Sequence, residues 1–232
     1  MTAKSLVLFS GGVDSTTALY WARSCGDRVH ALTFDYGQRH RVEVRMARRA
    51  AKKAGIPQTV LKIDLAQIGG SALTDPRIEL PRYRCRDEIK PGPPATYVPF
   101  RNGILISIAA AFAEARGYDE IVCGFNVIDS PDYPDTRAEF VRAMEKAVAS
   151  GTKAAFGAPG IKISAPFLRM TKAEIIRLGL SLGADYSDSV SCYAGDELPC
   201  GSCASCLLRR RAFAEAGCPD PLLERLRKEG PS

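Results

Sequence analysis

An apolar run, Ser5-Leu6-Val7-Leu8-Phe9, running straight into the turn Ser10-Gly11-Gly12-Val13-Asp14-Ser15, constrains this chain more than any other stretch. Continuous apolar character over so short a length suits a strand buried on both faces, as in a parallel sheet. Two adjacent glycines let backbone N–H groups turn inward and approach an anion closely. Ser15-Thr16-Thr17 then opens an apolar helix through about Arg23, whose unpaired N–H groups and positive end also favour phosphate. No Gly-Lys-Ser/Thr follows, so the turn is not a Walker loop, and it lacks the Gly-x-Gly-x-x-Gly spacing. Taken alone, the six residues also fit an ordinary strand-to-helix turn.

The alternation recurs along the chain. Arg28 to Phe34 reads as a second strand, ending at Asp35-Tyr36-Gly37-Gln38-Arg39-His40, and a strongly basic helix from about Arg41 to Ala54 stops at Gly55-Ile56-Pro57. Gln58 to Ile63 is a third strand, and an alanine-rich helix from Gly103 to about Arg116 precedes a fourth at Glu120 to Gly124. Thr136 to Ser150 reads as a helix, and Ile161 to Pro166 as a fifth strand. Thr171-Lys172-Ala173-Glu174 is a capping box that opens a helix running to Leu182. Strands and helices alternating at this spacing predict right-handed βαβ units and a parallel sheet. Residues 64–96, rich in Pro, Gly and charge, are too long for a plain connection and are expected to form a mobile lid or a partly disordered excursion. Residues 1–185 are expected to hold the nucleotide-binding α/β domain, and 186–232 a cysteine-bearing segment and final helix.

Lys plus Arg number 32 against 26 acids, a net charge of +6, which suits anionic small molecules as well as nucleic acid. It falls short of the clustered basic face of a dedicated RNA binder, so nucleic acid is not the expected partner. No run is long enough to span a bilayer, and Met1-Thr2-Ala3-Lys4 leads straight into a strand, so a cytoplasmic location is expected. The 8 cysteines then argue against a disulfide framework. Cys25, Cys85, Cys123 and Cys218 are scattered and read as small buried residues or inert thiols.

The remaining cysteines, Cys192-x7-Cys200-x2-Cys203-x2-Cys206, carry overlapping Cys-x-x-Cys pairs that suit a tetrahedral Zn²⁺ with no open position, hence a structural ion. A redox dithiol, an iron–sulfur cluster and unrelated buried thiols are the alternatives. Arg209-Arg210-Arg211 could offset the cluster's negative charge, though a solvated helix face is the plainer reading. Gln38 and His40 stand at the carboxyl end of the second strand, where open α/β sheets bind ligands, and could hydrogen-bond a purine-like ligand or a carboxylate; Arg39 could meet phosphate. Asn102 is a natural helix N-cap, which would place Arg101 beside the nucleotide. Asp129-Ser130-Pro131-Asp132-Tyr133-Pro134-Asp135-Thr136-Arg137 is a stiffened loop offering carboxylates, a ring and a guanidinium; an acidic surface turn is the alternative. Lys172, in a helix's first turn, is disfavoured by the dipole unless an anion lies close.

Ser-Gly-Gly-x-Asp-Ser resembles the signature of the PP-loop ATP pyrophosphatases, which split ATP into AMP and pyrophosphate. With TFDYGQRH, VPxRN, GxNxID…YPDxR, KAEI and SCYxG…CxxCxxC following in order over nearly the whole chain, the sequence is similar to the 7-cyano-7-deazaguanine synthases, the nitrile-forming family of the queuosine and archaeosine precursor pathway. That resemblance implies a doubly wound, five-stranded parallel α/β sheet of the adenine-nucleotide α-hydrolase kind, a small C-terminal zinc-binding part and a homodimer. It implies that ATP and Mg²⁺ activate 7-carboxy-7-deazaguanine as an acyl adenylate, that ammonia makes the amide, and that a second activation leaves the nitrile. With 2 histidines and no Cys–His glutaminase pattern in the sequence, ammonia is expected to come from solution. The implied ATP site is Leu8-Phe9-Ser10-Gly11-Gly12-Val13-Asp14-Ser15-Thr16 with Thr33 and Gly124. Asp14, Ser15, Arg101 and Lys172 would be catalytic, and Gln38, His40, Asp129, Tyr133, Asp135 and Arg137 would hold the deazapurine.

Two departures stand out. The family commonly has glycine where this chain has Phe100, and often reads YSGYPDCR where this chain has Ser130 to Arg137. A tRNA-modifying PP-loop enzyme and a non-catalytic ATP-binding sensor are the competing readings.

Overall fold

The computed structural model describes residues 3–26, 28–39, 42–129, 131–195 and 198–229. Five strands, β1 (Lys4–Leu8), β2 (Arg28–Asp35), β3 (Gln58–Lys62), β4 (Glu120–Cys123) and β5 (Lys162–Ser164), form one sheet in the order β3-β2-β1-β4-β5. Every pairing is parallel, with Val7 opposite Ala31 on one side and Val122 on the other. The α/β, doubly wound parallel sheet expected from the strand–helix alternation is therefore the fold.

Among the described residues, seven α-helices connect and cover the strands: α1 (Val13–Ser24), α2 (Val42–Lys53), α3 (Arg101–Arg116), α4 (Ala138–Gly151), α5 (Lys172–Ser181), α6 (Ala204–Ala216) and α7 (Pro221–Glu229). Side chains alternate across a strand, so neighbouring residues of β1 serve different cores. Val7, with Ala31 and Val122, joins α1, α2, α5 and α6 on one face; Leu6, with Leu32, Ile121 and Ile163, meets α3 and α4 on the other. Ala109, Ala110 and Ala113 let α3 lie close on its face, and Gly117 ends that helix in the left-handed conformation. The capping box at Thr171 and Glu174 opens α5 as the sequence predicts.

Two local departures have clear causes. Asn102 is not the N-cap of α3, because the helix begins at Arg101 and Phe100 occupies the cap with φ 53°. A non-glycine residue there costs about 1–2 kcal/mol, and this is the position where the family commonly carries glycine. The Phe100 ring packs edge-on to Phe140 at 5.9 Å and fills the space over Gly103, where a Cβ would fall 2.4 Å from it. Arg209, for its part, is neither solvated nor aimed at the cysteines. It is buried, pairs with both oxygens of Asp220 at 2.6 and 2.8 Å and donates to the Ser189 carbonyl at 2.7 Å. Those bonds fasten α6 to the start of α7.

Residues beyond 185 share the main core, since Ala212 and Phe213 pack in the same cluster as Ala18 and Ile175. The 64–96 segment holds a single 3₁₀ turn at Arg86–Glu88, buries Leu65 and Leu73, and is tied to the cysteine segment by a Tyr83 N–H to Ser202 carbonyl bond of 2.8 Å. Among the scattered cysteines, Cys123 is buried but Cys25 and Cys85 are exposed, against the expectation for small apolar residues. No described helix is long and apolar enough to cross a membrane.

Candidate active site

The strand order reverses between β1 and β4, and connections leaving the sheet on opposite faces open a crevice at the carboxyl ends of those two strands. A cleft of about 300 Å³ lies there. The 10–15 loop forms one end and braces itself with its own hydroxyls: Ser10 Oγ accepts from the Gly12 N–H at 3.2 Å and sits 3.1 Å from Ser15 Oγ, which donates to the Gly12 carbonyl at 3.0 Å. Two glycines are required by close approach. A Cβ on Gly11 (φ +85°) would lie 2.9 Å from the Ala47 Cβ of α2, and one on Gly124 would lie 2.9 Å from the Asp14 carbonyl carbon.

Of the residues the sequence assigns to an ATP site, Leu8, Phe9, Ser10, Gly12, Val13, Asp14, Ser15, Thr33 and Gly124 line the cleft. Gly11 and Thr16 are not among the lining residues; the Gly11 carbonyl accepts instead from the Val190 N–H at 3.1 Å. The Thr33 hydroxyl donates to the Phe9 carbonyl at 2.6 Å, so it braces the end of β1. Asp14 and Lys172, from helices 158 residues apart in sequence, meet at 2.6 Å with side chains 23% and 16% exposed. That ion pair resolves the conflict of a cation in a helix's first turn. The second oxygen of Asp14, Oδ1, is buried without a hydrogen-bond partner, and so is Thr16 Oγ1.

Arg101, the first residue of α3, donates to the Tyr36 hydroxyl at 3.0 Å, its guanidinium 5.6 Å from that ring's centre. Burial pushes the Tyr36 phenol up despite the opposing charge of Arg101, so it stays neutral and accepts. Beyond them lies a row of hydroxyls. Thr96 Oγ1 is 3.2 Å from the Tyr133 hydroxyl, which bonds in turn to Tyr193.

Several residues expected to contact a ligand direct their polar groups to the protein's own backbone. Gln38 lines the cleft, yet its amide accepts from the Tyr36 N–H at 2.8 Å and donates to the Phe34 carbonyl at 3.3 Å, bracing the end of β2. Arg39 meets no phosphate position and holds the carbonyls of Ala72, Pro76 and Ile78. Asp129 and Asp135 do not line the cleft: the first accepts from the Lys172 N–H and the second from the Asn102 N–H at 2.9 Å. Arg137 is exposed at the start of α4, away from the cleft. His40 lies outside the described residues, as does Ser130. Of the six residues expected to hold a deazapurine, Tyr133 and Gln38 line the cleft.

The family departures at 132 and 136 have local roles. Asp132 accepts from the Gly92 N–H at 2.9 Å, pinning the Pro-Gly-Pro-Pro stretch, and the Thr136 hydroxyl closes a turn on the Tyr133 carbonyl at 2.9 Å.

The sulfurs of Cys192, Cys200, Cys203 and Cys206 lie within 4.8 Å of one another, a donor set able to hold a metal ion. Backbone N–H groups of Ala194 and Cys200 donate to Cys192 Sγ at 3.4 and 3.3 Å, and that of Cys203 to Cys200 Sγ at 3.4 Å. Hydrogen bonds from the Cys203 and Cys206 thiols, helped by the Cys200 and Ala194 N–H groups, hold the Cys192 thiol well below its usual range. The segment around the cluster completes the cleft, supplying Val190, Ser191, Tyr193, Ser205 and Leu208 to its wall. Sequence reasoning missed Tyr193, Glu43 and Tyr36 as cleft residues. The signal for Tyr193 was its place directly after a metal-ligand cysteine.

The sequence model of the family described as "Queuosine biosynthesis protein QueC" matches residues 4–217. A protein of Nostoc punctiforme named 7-cyano-7-deazaguanine synthase is 47% identical over 221 residues, covering 95% of this chain and 99% of its own. A Thermoplasma acidophilum protein of the same name is 49% identical, covering 94% and 91%. In fold, the chain is similar to a 4-thiouridine synthetase solved with RNA and bound ATP (TM-score 0.51, 20% identity, 98% of this chain and 53% of that one). A predicted tRNA methyltransferase subunit from Methanocaldococcus jannaschii is similar at TM-score 0.50, with 16% identity over 77% of this chain and 74% of that one. With nearly its whole length matched and relatives this close, the chain belongs to the QueC family of queuosine biosynthesis proteins.

Proposed function

We propose that this chain is an ATP-dependent carbon–nitrogen ligase that converts 7-carboxy-7-deazaguanine and ammonia into 7-cyano-7-deazaguanine. The observation that carries the reading is the Asp14–Lys172 pair at the mouth of the 10–15 loop, inside a chain that matches the family over residues 4–217.

A carboxylate resists ammonia because its oxygen leaves poorly and its charge repels the nucleophile. The substrate oxygen attacks the α-phosphorus, pyrophosphate departs, and the carbonyl carbon carries AMP as a leaving group. Ammonia displaces AMP and loses a proton, giving the amide. The amide oxygen then takes a second AMP from a second ATP, and loss of the remaining N–H protons with that AMP leaves the nitrile. The loop's N–H groups, Ser10 and Ser15 hold the departing phosphates, and Lys172 screens their charge. Arg101, kept beside a neutral Tyr36, supplies the cation at the acyl end. Tyr133 and Tyr193 offer rings and hydroxyls for the heteroaromatic part.

The buried, unpartnered Asp14 Oδ1 fits a ligand for the Mg²⁺ that accompanies the triphosphate. Cys192, Cys200, Cys203 and Cys206 fit Zn²⁺. A Zn–S distance of about 2.3 Å separates tetrahedral sulfurs by about 3.8 Å, close to the 4.0 Å between Cys200 and Cys206. The ion would cross-link the segment and leave no open coordination position. A cytoplasmic homodimer completes the reading, and light scattering on the purified protein tests its stoichiometry.

Incubation with Mg-ATP and ammonia, with and without 7-carboxy-7-deazaguanine, tests the activity. The expected result is AMP release only with the carboxylate present, and two AMP per nitrile. AMP released only when tRNA is added, or ATP bound without AMP release, overturns the reading.

A further inference from the structure

Both cations facing the cleft, Lys172 and Arg101, are the first residues of their helices, α5 and α3. The helix dipole opposes a cation at that position. A long side chain there keeps its aim only if the start of its helix is fixed. In both helices an acid from the single loop between β4 and α4 does the fixing. Asp129 accepts from the N–H of Lys172 itself. Asn126, in the same loop, accepts from the Asp129 N–H at 3.0 Å and donates to the Met170 carbonyl at 2.9 Å, gripping the lead-in to α5. At the other helix, buried Asp135 accepts from the Asn102 N–H at 2.9 Å, and its carbonyl takes the Asn102 side-chain amide at 3.2 Å.

We propose that Asp129 and Asp135 are positioning residues for the reaction, holding Lys172 and Arg101 at a fixed separation across the cleft. The proposal rests on the functional reading above. Asp129 sets the cation at the phosphate end and Asp135 the cation at the acyl end. Each carboxylate also adds negative charge at a helix N-terminus that opens with a cation, and α3 has no acid of its own in its first turn. Neither residue lines the cleft, so neither acts by touching a ligand. Pro131 and Pro134, which lie between the two acids, each fix φ at about −65° at their own position.

The test compares Asp129→Asn, Asp129→Ala, Asp135→Asn and Asp135→Ala with the wild type. Carboxylate-dependent ATP–pyrophosphate exchange and nitrile formation are measured with separate KM values for ATP and 7-carboxy-7-deazaguanine. A misplacement of order 1 Å costs about 100-fold in rate. The alanine variants should therefore lose about 10- to 100-fold in kcat, with either KM changing less than about threefold. The asparagine variants, whose amide oxygen still accepts the helix N–H, should recover a substantial part of that loss. If the alanine variants do not fold, the asparagine variants decide, with kcat lowered at unchanged KM as the expected result. Unchanged kcat in the folded variants overturns the proposal. So does a KM for the carboxylate that rises equally in Asp135→Asn and Asp135→Ala at retained kcat, which is the signature of direct contact. A wild type without carboxylate-dependent exchange removes the functional reading and this proposal together; failure confined to the variants leaves the functional reading standing.

Discussion

The loop at residues 10–15 and the loop between β4 and α4 both leave the carboxyl edge of the sheet, yet they use their polar residues in opposite ways. In the first, Ser10, Asp14 and Ser15 line the cleft, and one Asp14 oxygen is left buried without a partner. In the second, Asp129, Asp132 and Asp135 spend their carboxylates on the backbone N–H groups of Lys172, Gly92 and Asn102. Both loops reach the cleft, the second through Asn126, Tyr133 and Thr136, but its three carboxylates are committed to holding backbone. A charged loop at a binding edge is therefore insufficient grounds for assigning contact; what matters is whether its acceptors are already occupied.

Preventing the four cysteines from holding a metal should break this contrast most severely, because the segment around them supplies Val190, Ser191, Tyr193, Ser205 and Leu208 to the cleft wall. Structural zinc contributes on the order of 10 kcal/mol to folding. Cys203→Ser should abolish metal retention, measured by elemental analysis, and lower the unfolding temperature, measured by calorimetry. Lys172→Ala comes next. The pair is partly exposed, so cutting one partner costs less than the roughly 3–5 kcal/mol of a fully buried pair, and losing charge stabilisation of the leaving group costs about 100- to 1,000-fold in kcat. Pyrophosphate release, corrected for the folded fraction, separates the two effects. Tyr193→Phe sharpens the comparison at the far end: one hydroxyl hydrogen bond is worth about 1 kcal/mol, so the KM for the carboxylate should rise about fivefold with ATP affinity unchanged.

The smallest effect concerns the opposite edge of the sheet and serves as a control. Burial, with the Arg116 charge adding to it, lowers the pKa of His30 from its ordinary 6.5. The unfolded chain therefore binds a proton more readily, and stability falls as pH drops through 6.5 toward the folded value. His30→Gln should flatten that slope in urea titrations at pH 5 to 7 while leaving KM values unchanged.

Local signals carried most of the fold. The strand–helix alternation, the turn at 10–15, the Thr171–Glu174 capping box and the cysteine spacing each involve residues a few positions apart, and each folds as its pattern predicts. What could not be read depends on partners far along the chain. Asp129 finds its donor 43 residues away and Asp135 finds its own 33 away, so nothing near either acid distinguishes a cap from a ligand contact. Arg209 looks solvated within Arg209-Arg210-Arg211 until Asp220 and Ser189 close on it. Asn102 looks like a cap because a left-handed Phe100 is not expected to start a helix. The wall supplied by residues 190–208 was missed for the same reason, since only tertiary folding brings it across the cleft.

Gly124 presses the exit of β4 onto the main chain of Asp14 and Ser15, leaving no room for even a methyl group. That end of the cleft is thus set by main-chain packing, and any side chain at 124 would push the two strand exits apart. For anyone redesigning this scaffold toward other carboxylic acids, position 124 is out of bounds. Across the cleft, the Thr136 side chain lines the wall while its hydroxyl closes a turn on the Tyr133 carbonyl, so a change there leaves the main-chain crossing at 124 untouched.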